Sequence, residues 1–254
     1  MNQPKSVLLL NGSPKGEKSN SRQIGKFLVD RLQKKGFKAE EVFITRILRS
    51  PEKIEGLSQI LSTSEIVVFT TPLYVDSLPS FTIKAMELIL NYRRANAQNG
   101  IPLLVAVMNC GFPEKEHMEI ALRIIKNFSE EANLRWGGAI AVGMGTALDG
   151  KELTERKGMT RNLTKGLALA AAALAEGQTV PEEAERLTSK PFMPLIMAKP
   201  MLRLFGKRMW NNQAENNAVK PDMYAKPYEI SQAGSGTEKR WRARWDALKN
   251  ISES

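Results

Sequence analysis

Three short apolar runs constrain this chain more than any other feature: KSVLLL at 5–10, EIVVFTT at 65–71 and PLLVAVM at 102–108. Each is short for a helix, and its apolar residues are consecutive instead of alternating. Each therefore predicts a strand buried on both faces. Between and after them the spacing turns helical. Ser19 to Lys35 places Ile24, Phe27, Leu28 and Leu32 on one face and stops at Gly36. Pro51 opens a helix to about Leu61, and Ser80 to Arg94 fits a helix with Ile83, Met86, Ile89 and Leu90 inward. Lys38 to Thr45 alternates as a further strand, Glu114 to Ala132 predicts a helix through Ile120, Ile124 and Phe128, and Gly138 to Gly143 reads as the last strand. An alanine-rich helix from Leu153 to Glu176 closes the series. Five strands alternating with five helices predict an α/β fold, a doubly wound parallel sheet with helices on both sides.

After Gly177 the character changes. Pro181, Pro191, Pro194 and Pro200 fall too close together for one long helix. Near the end, EKRWRARWDALKN sets Trp241, Trp245 and Leu248 on one helical face. The expected organisation is a domain over 1–177 and a C-terminal extension over 178–254, an arm or lid that is partly helical.

The formal net charge of +10 favours an anionic partner in general terms. The charge is spread: 13 Lys/Arg against 9 Asp/Glu from residue 178 onward leave 24 against 18 before it. With no long block of one sign, a nucleic-acid partner is not expected, although Trp241 and Trp245 lie among basic residues. Residues 192–210 mix Leu202, Leu204, Phe205 and Trp210 with basic side chains, a composition suited to a membrane surface. Their prolines interrupt a continuous amphipathic face and favour an arm packed on the core or on a partner subunit. The single cysteine, Cys110, excludes an intramolecular disulfide and a cysteine-ligated zinc or iron–sulfur site within one chain. The apolar core near the N-terminus is too short for a secretory signal and no run approaches a membrane span, so the expected compartment is the cytoplasm.

The functional signal lies where the first strand breaks, at NGSPKGEKSNS (11–21). In a parallel α/β sheet, ligands settle beyond the C-terminal ends of the strands. Gly12 lets the backbone turn, and the residues that follow offer amides and hydroxyls ahead of a helix N-terminus, the elements of an anion site. Ser13, Ser19, Asn20 and Ser21 add side-chain donors, and Lys15 adds a charge. Taken alone, the segment serves equally as a capped strand-to-helix turn. Neither GxxxxGK[ST] nor GxGxxG is present, which favours a monophosphate over a pyrophosphate. Two further strand ends carry TTPLYVDSLPS (70–80) and NCGFPE (109–114).

Together, NGSP…SNS, TPLYVDSLPS and the glycine-containing third loop resemble the flavodoxin-like NAD(P)H-dependent FMN reductases over residues 5 to about 176. The resemblance implies a five-stranded sheet of order 2-1-3-4-5 binding one FMN at its C-terminal edge. Carried over by position, Ser13, Lys15, Ser19, Asn20 and Ser21 would hold the FMN phosphate. Pro72, Leu73, Tyr74, Val75 and Asp76 would run beside the isoalloxazine, with Asn109, Cys110 and Gly111 along its other edge. It further implies NAD(P)H as co-substrate, a small-molecule electron acceptor and a homodimer. The flavin carries the chemistry, so no catalytic side chain and no metal are expected. Cys110 reads more simply as a small buried hydrophobe, and His117 as a solvated helix residue. Lys84 is expected to pack its stem or to pair with Glu87, and Gly143-Met-Gly-Thr to form a turn or a substrate-side loop. Two other readings compete: a flavodoxin-type electron carrier, against which the basic charge and long extension weigh, and a non-catalytic basic binding protein.

Overall fold

The computed structural model describes residues 5–48, 50–95, 100–156, 158–193, 206–208, 210–212 and 214–220. The chain divides into two compact units, Met1–Leu195 and Ile196–Ser254. In the first, the strands are β1 (Ser6–Asn11), β2 (Lys38–Phe43), β3 (Ile66–Pro72), β4 (Leu103–Asn109) and β5 (Arg135–Val142). The helices are α1 (Asn20–Gln33), α2 (Ile44–Ile47), α3 (Pro51–Thr63), α4 (Ser80–Ala95), α5 (Glu119–Glu131), α6 (Arg161–Ala175) and α7 (Glu182–Thr188). All strand pairs are parallel, in the order β2-β1-β3-β4-β5, as the resemblance implies.

Alternation of side chains along each strand builds two cores. Val7, Leu9, Val68, Val105 and Val107 face α1 and α6, while Leu8, Leu10, Phe69, Leu104 and Met108 face α3, α4 and α5. Every residue of β3 and of β4 is buried. The edge strand β2 instead exposes Lys38, Ala39 and Glu40, a charged margin that discourages pairing with another chain. Helix α7 packs on the α6 side of the sheet, past the point where the sequence changes character. Ala184 joins the core there, and the Val180 amide donates to the Gly137 carbonyl at 2.8 Å.

Two expected helix faces are rotated. On α4, Ile83 is 36% exposed and Thr82 is turned inward, its hydroxyl donating to the Gly12 carbonyl at 3.1 Å. On α5, Ile120 and Ile124 face outward, while Ala121, Ile125 and Phe128 are buried. The chain reaches α5 through a 3-10 turn, Lys115–Met118, that buries Met118 and resets the helical phase. The same kind of turn, Leu153–Arg156, precedes α6 where one continuous helix was predicted. The strand predicted to Thr45 ends at Phe43 because Ile44 and Ile47 turn into α2 and pack in the second core.

In the second unit, 206–208, 210–212 and 214–216 are helical and Lys220 pairs with Glu215 at 3.1 Å. Residues 194–205 and 209 of the basic apolar segment, and Trp241 and Trp245, lie outside the described residues. No helix among the described residues is long and apolar enough to cross a membrane.

Gly25 sets how closely α1 approaches the sheet. A Cβ there would stand 2.3 Å from Thr70 Cγ2 and 2.8 Å from Leu9 Cδ1. Gly25→Ala is therefore expected to destabilise the fold by about 1–3 kcal/mol through overpacking. Urea unfolding followed by circular dichroism measures it, and an unchanged midpoint would contradict the close approach.

Candidate functional site

The loops that follow β1, β3, β4 and β5 meet at the C-terminal edge of the sheet. Asn11, the last residue of β1, is fully buried. Its Oδ1 accepts from the Ser13 amide at 2.9 Å and its Nδ2 donates to the Gly16 carbonyl at 3.4 Å, so this side chain shapes the loop from within. Gly12 donates to the Thr70 carbonyl at 2.7 Å, and a Cβ on it would come within 3.1 Å of that oxygen. The chain then passes through a 3-10 turn, Gly16–Lys18, to Ser19, the N-cap of α1. Ser19 Oγ accepts from the Arg22 amide at 3.3 Å and donates to the Gly16 carbonyl at 2.8 Å.

This geometry sorts the five residues expected at a phosphate. The amides of Asn20 and Ser21, in the first turn of α1, have no hydrogen-bond partner among the described residues. The same is true of the Ser13 hydroxyl, in a residue only 2% exposed. Lys15 is exposed and forms no ion pair among the described residues. The Ser19 and Ser21 hydroxyls are engaged, and Asn20 uses its oxygen within the fold, leaving its Nδ2 as a donor. Ser21 Oγ donates to Asn109 Oδ1 at 2.6 Å, and Asn20 Oδ1 accepts from the Gly150 amide at 2.6 Å. The fit to a phosphate thus rests on backbone amides, Ser13 and the Lys15 charge more than on a ring of free hydroxyls. Two carboxylates beside the loop are neutralised: Glu41 takes a two-pronged contact from Arg22 at 2.6 and 2.8 Å, which raises the Arg22 pKa, and Glu17 pairs with Arg46 at 2.9 Å.

The other two groups of expected residues lie at the same edge. The Leu73 amide donates to the Asn109 carbonyl at 2.9 Å, extending the β3–β4 pairing beyond Pro72. Tyr74 and Ser77 then exchange backbone hydrogen bonds of 2.9 and 3.1 Å around a tight turn. Val75 and Asp76 form its corner with φ of +49° and +56°. A left-handed conformation in a β-branched residue is strained, and Val75 is 98% exposed, so nothing buried repays it. Tyr74 is 43% exposed, with its phenol pKa pushed up by burial.

After β4, Asn109 is buried and Gly111 is exposed; a Cβ on Gly111 would meet only Thr146 Cγ2, at 3.7 Å. Cys110 turns its side chain into the second core, Sγ 3.3 Å from the Phe112 carbonyl, and its backbone is engaged as well: the amide donates to the Val142 carbonyl at 3.1 Å and the carbonyl accepts from Gly145. Burial pushes the thiol pKa up, against the Phe112 hydrogen bond that lowers it, and the Glu114 and Asp76 carboxylates add to the rise. Gly143-Met-Gly-Thr is pinned by the Met144 amide on the Phe112 carbonyl (2.8 Å) and the Gly145 amide on the Cys110 carbonyl (2.7 Å). A Cβ on Gly145 would lie 2.5 Å from Asn109 Nδ2, so this glycine lets the loop close over Asn109.

One cluster escaped the sequence reading. His117 lies in the 3-10 turn before α5, its ring 4.9 Å from that of Phe112 and its Nδ1 3.6 Å from Asp76 Oδ1. It joins the loops after β3 and β4, and its spacing from Phe112 was the only available cue. Lys84 pairs with Glu87 at 3.2 Å, as expected.

The strained corner generates a prediction. Asparagine adopts the left-handed conformation readily, so Val75→Asn is expected to stabilise the fold by about 1 kcal/mol. Urea titration checks the sign, and a loss of stability would show that Val75 is not held in this conformation.

Comparisons with known proteins bear on the fold. A family model described as "Flavodoxin-like fold" matches residues 5–106. An FMN-dependent NADH-azoreductase from Bacillus anthracis, solved with FMN, is similar at 15% identity and TM-score 0.50 over 67% of this chain and 100% of its own. An NAD(P)H:quinone oxidoreductase from Methanothermobacter marburgensis is similar at 14% identity and TM-score 0.52, covering 68% and 96%. An NADH:FMN oxidoreductase in its apo form is similar at 11% identity and TM-score 0.51, covering 75% and 96%. No curated protein matches the sequence. The family match over β1 to β4, joined to the parallel order β2-β1-β3-β4-β5, gives this chain a flavodoxin-like fold.

Proposed function

We propose that the protein is an FMN-dependent oxidoreductase that takes a hydride from NADH or NADPH and passes electrons to a small acceptor such as a quinone, a flavin or a nitroaromatic. The observation that carries this reading is the junction at the C-terminal edge. Unpartnered amides at the start of α1 stand one hydrogen bond, Ser21 to Asn109, from the loop after β4. That loop is in turn one hydrogen bond, Leu73 to Asn109, from the exposed turn after β3. A phosphate at one end and a flat apolar ring at the other match that order. The solved structures of similar fold include proteins named for FMN, NADH and quinones, which agrees with the reading.

FMN, when bound, supplies the hydride and electron transfer. The chain's own residues bind and orient it. The Asn20 and Ser21 amides and the Ser13 hydroxyl take the phosphate oxygens, favoured by the dipole of α1, and Lys15 offsets the charge. Leu73 and Tyr74 give apolar cover to the ring, and the exposed backbone of Gly111 offers it a polar margin. Asn109, held by Ser21 and covered by Gly145, fixes the distance between the two ends. The cytoplasm and a homodimer complete the proposal; exposed Phe112, Ile120 and Ile124 beside the edge suit a subunit contact.

Purified protein is expected to be yellow, or to take up added FMN, and to bleach on anaerobic addition of NADPH. Yellow protein that does not bleach would favour an electron carrier, and colourless protein that takes up no FMN would refute the reading. Ser19→Ala with Ser21→Ala is expected to weaken FMN binding by no more than about 3 kcal/mol, since amides carry most of the phosphate contact. Fluorescence titration with FMN measures it, beside a urea midpoint that registers the lost Ser21–Asn109 tie. A loss above that bound would mean that these hydroxyls, and not the amides, hold the phosphate.

A further inference from the structure

We propose that the groove between α6 and α7 is a second ligand site, taking a phosphate-bearing small molecule with an aromatic or apolar body. The groove encloses about 490 Å³, inside the range of about 300–1,000 Å³ usual for small-molecule sites. It exists because Gly166 brings the helices together: a Cβ there would fall 2.7 Å from Thr188 Cγ2 and 2.9 Å from the Ala184 carbonyl.

Its walls carry a charge surplus. Arg161 and Lys165 line it from α6, and Arg186 and Lys190 from α7 and the residues after it. The lone carboxylate in the lining, Glu183, is saturated by Arg186 through hydrogen bonds of 2.7 and 2.8 Å. Arg161, Lys165 and Lys190 form no ion pair among the described residues. Arg161 and Lys165 stand four residues apart on α6, where like charges repel, and the positive side chains of the other wall line the same groove. A multiply charged anion removes that repulsion. The apolar part of the lining is equally definite. Leu187 is buried, and Met159 and Phe192 are half-buried against the first core. An inorganic anion would use the charges and leave this surface bare. A phosphate monoester on a ring-bearing body uses both.

The groove opens at the same edge of the sheet as the flavin site. The chain leaves β5 at the C-terminal edge and α6 runs back across the sheet to the opposite edge, where the Ala175 carbonyl accepts from Lys5 Nζ before β1 begins. Arg161 and Lys165 therefore sit towards the C-terminal edge. Two sources share the required chemistry: the adenosine 2′-phosphate end of NADPH, an assignment that rests on the proposed function, and a free nucleotide phosphate, which does not.

The test is calorimetric titration of the full chain with adenosine 2′,5′-bisphosphate, and with adenosine as the uncharged counterpart. Wild type, K165E/K190E and K34E/K35E are compared; the last makes the same charge change on exposed residues at the end of α1. The bisphosphate is expected to bind wild type and adenosine not to. K165E/K190E should lose at least tenfold in affinity while K34E/K35E stays within twofold. If K165E/K190E also raises KM for NADPH but not for NADH, the source is the cofactor phosphate. If both KM values hold while bisphosphate binding falls, the source is a separate nucleotide. No binding by wild type, or an equal loss in K34E/K35E, would overturn the proposal. The titration reads the groove whether or not the protein is yellow, so protein that takes up no FMN but still binds the bisphosphate would refute the flavin reading and leave this one standing.

Discussion

Burial of β3 and β4 on both faces is the constraint from which the rest of the molecule follows. All seven residues of each strand are removed from water, so both faces of the sheet must be covered by helices. Parallel strands can satisfy that only through crossovers, which return every chain segment to the same starting edge. The opposite edge is then the one place where strand ends, loop amides and helix N-termini converge with their polar groups unspent. The candidate site is where it is because the interior leaves nowhere else for such groups.

The edge is ordered by small contacts more than by charge. Asn11 folds its own loop, Gly12 and Gly145 permit backbone to approach within distances that a side chain would forbid, and Asn109 is held between Ser21 and the loop after β5. Against this rigid background the Val75–Asp76 turn stands out, strained and almost fully exposed, tied on its far side by His117. Strain of this kind, in a turn with nothing buried to repay it, is not explained by stability.

Electrostatics divides the positive surplus between two kinds of place. Around the first loop the charges are largely paired, Arg22 with Glu41 and Arg46 with Glu17, leaving Lys15 without an ion pair among the described residues. Between α6 and α7 the pairing is incomplete, and three positive groups share one groove with an apolar wall. The overall +10 says little about either. What matters is which cations have already found a carboxylate.

The strand count, the five longer helices and the location of the loops were legible because consecutive apolar residues and 3.6-residue periodicity are local properties of the chain; the short α2 and α7 were not. Gly36 as a stop and the Lys84–Glu87 pair were legible for the same reason. Tertiary structure decided the rest. The inward turn of Thr82 instead of Ile83 depends on a carbonyl seventy residues away in sequence, at Gly12. The outward placement of Ile120 and Ile124 depends on Met118 being buried first. The Ser21–Asn109 bond, the His117–Asp76 contact and the facing cations of α6 and α7 join residues that no spacing rule relates. The sequence by itself determined which segments must be strands and helices, since that follows from each segment's own pattern of burial. Which polar groups stay free to meet a ligand was decided only when the fold had brought all their competitors within reach.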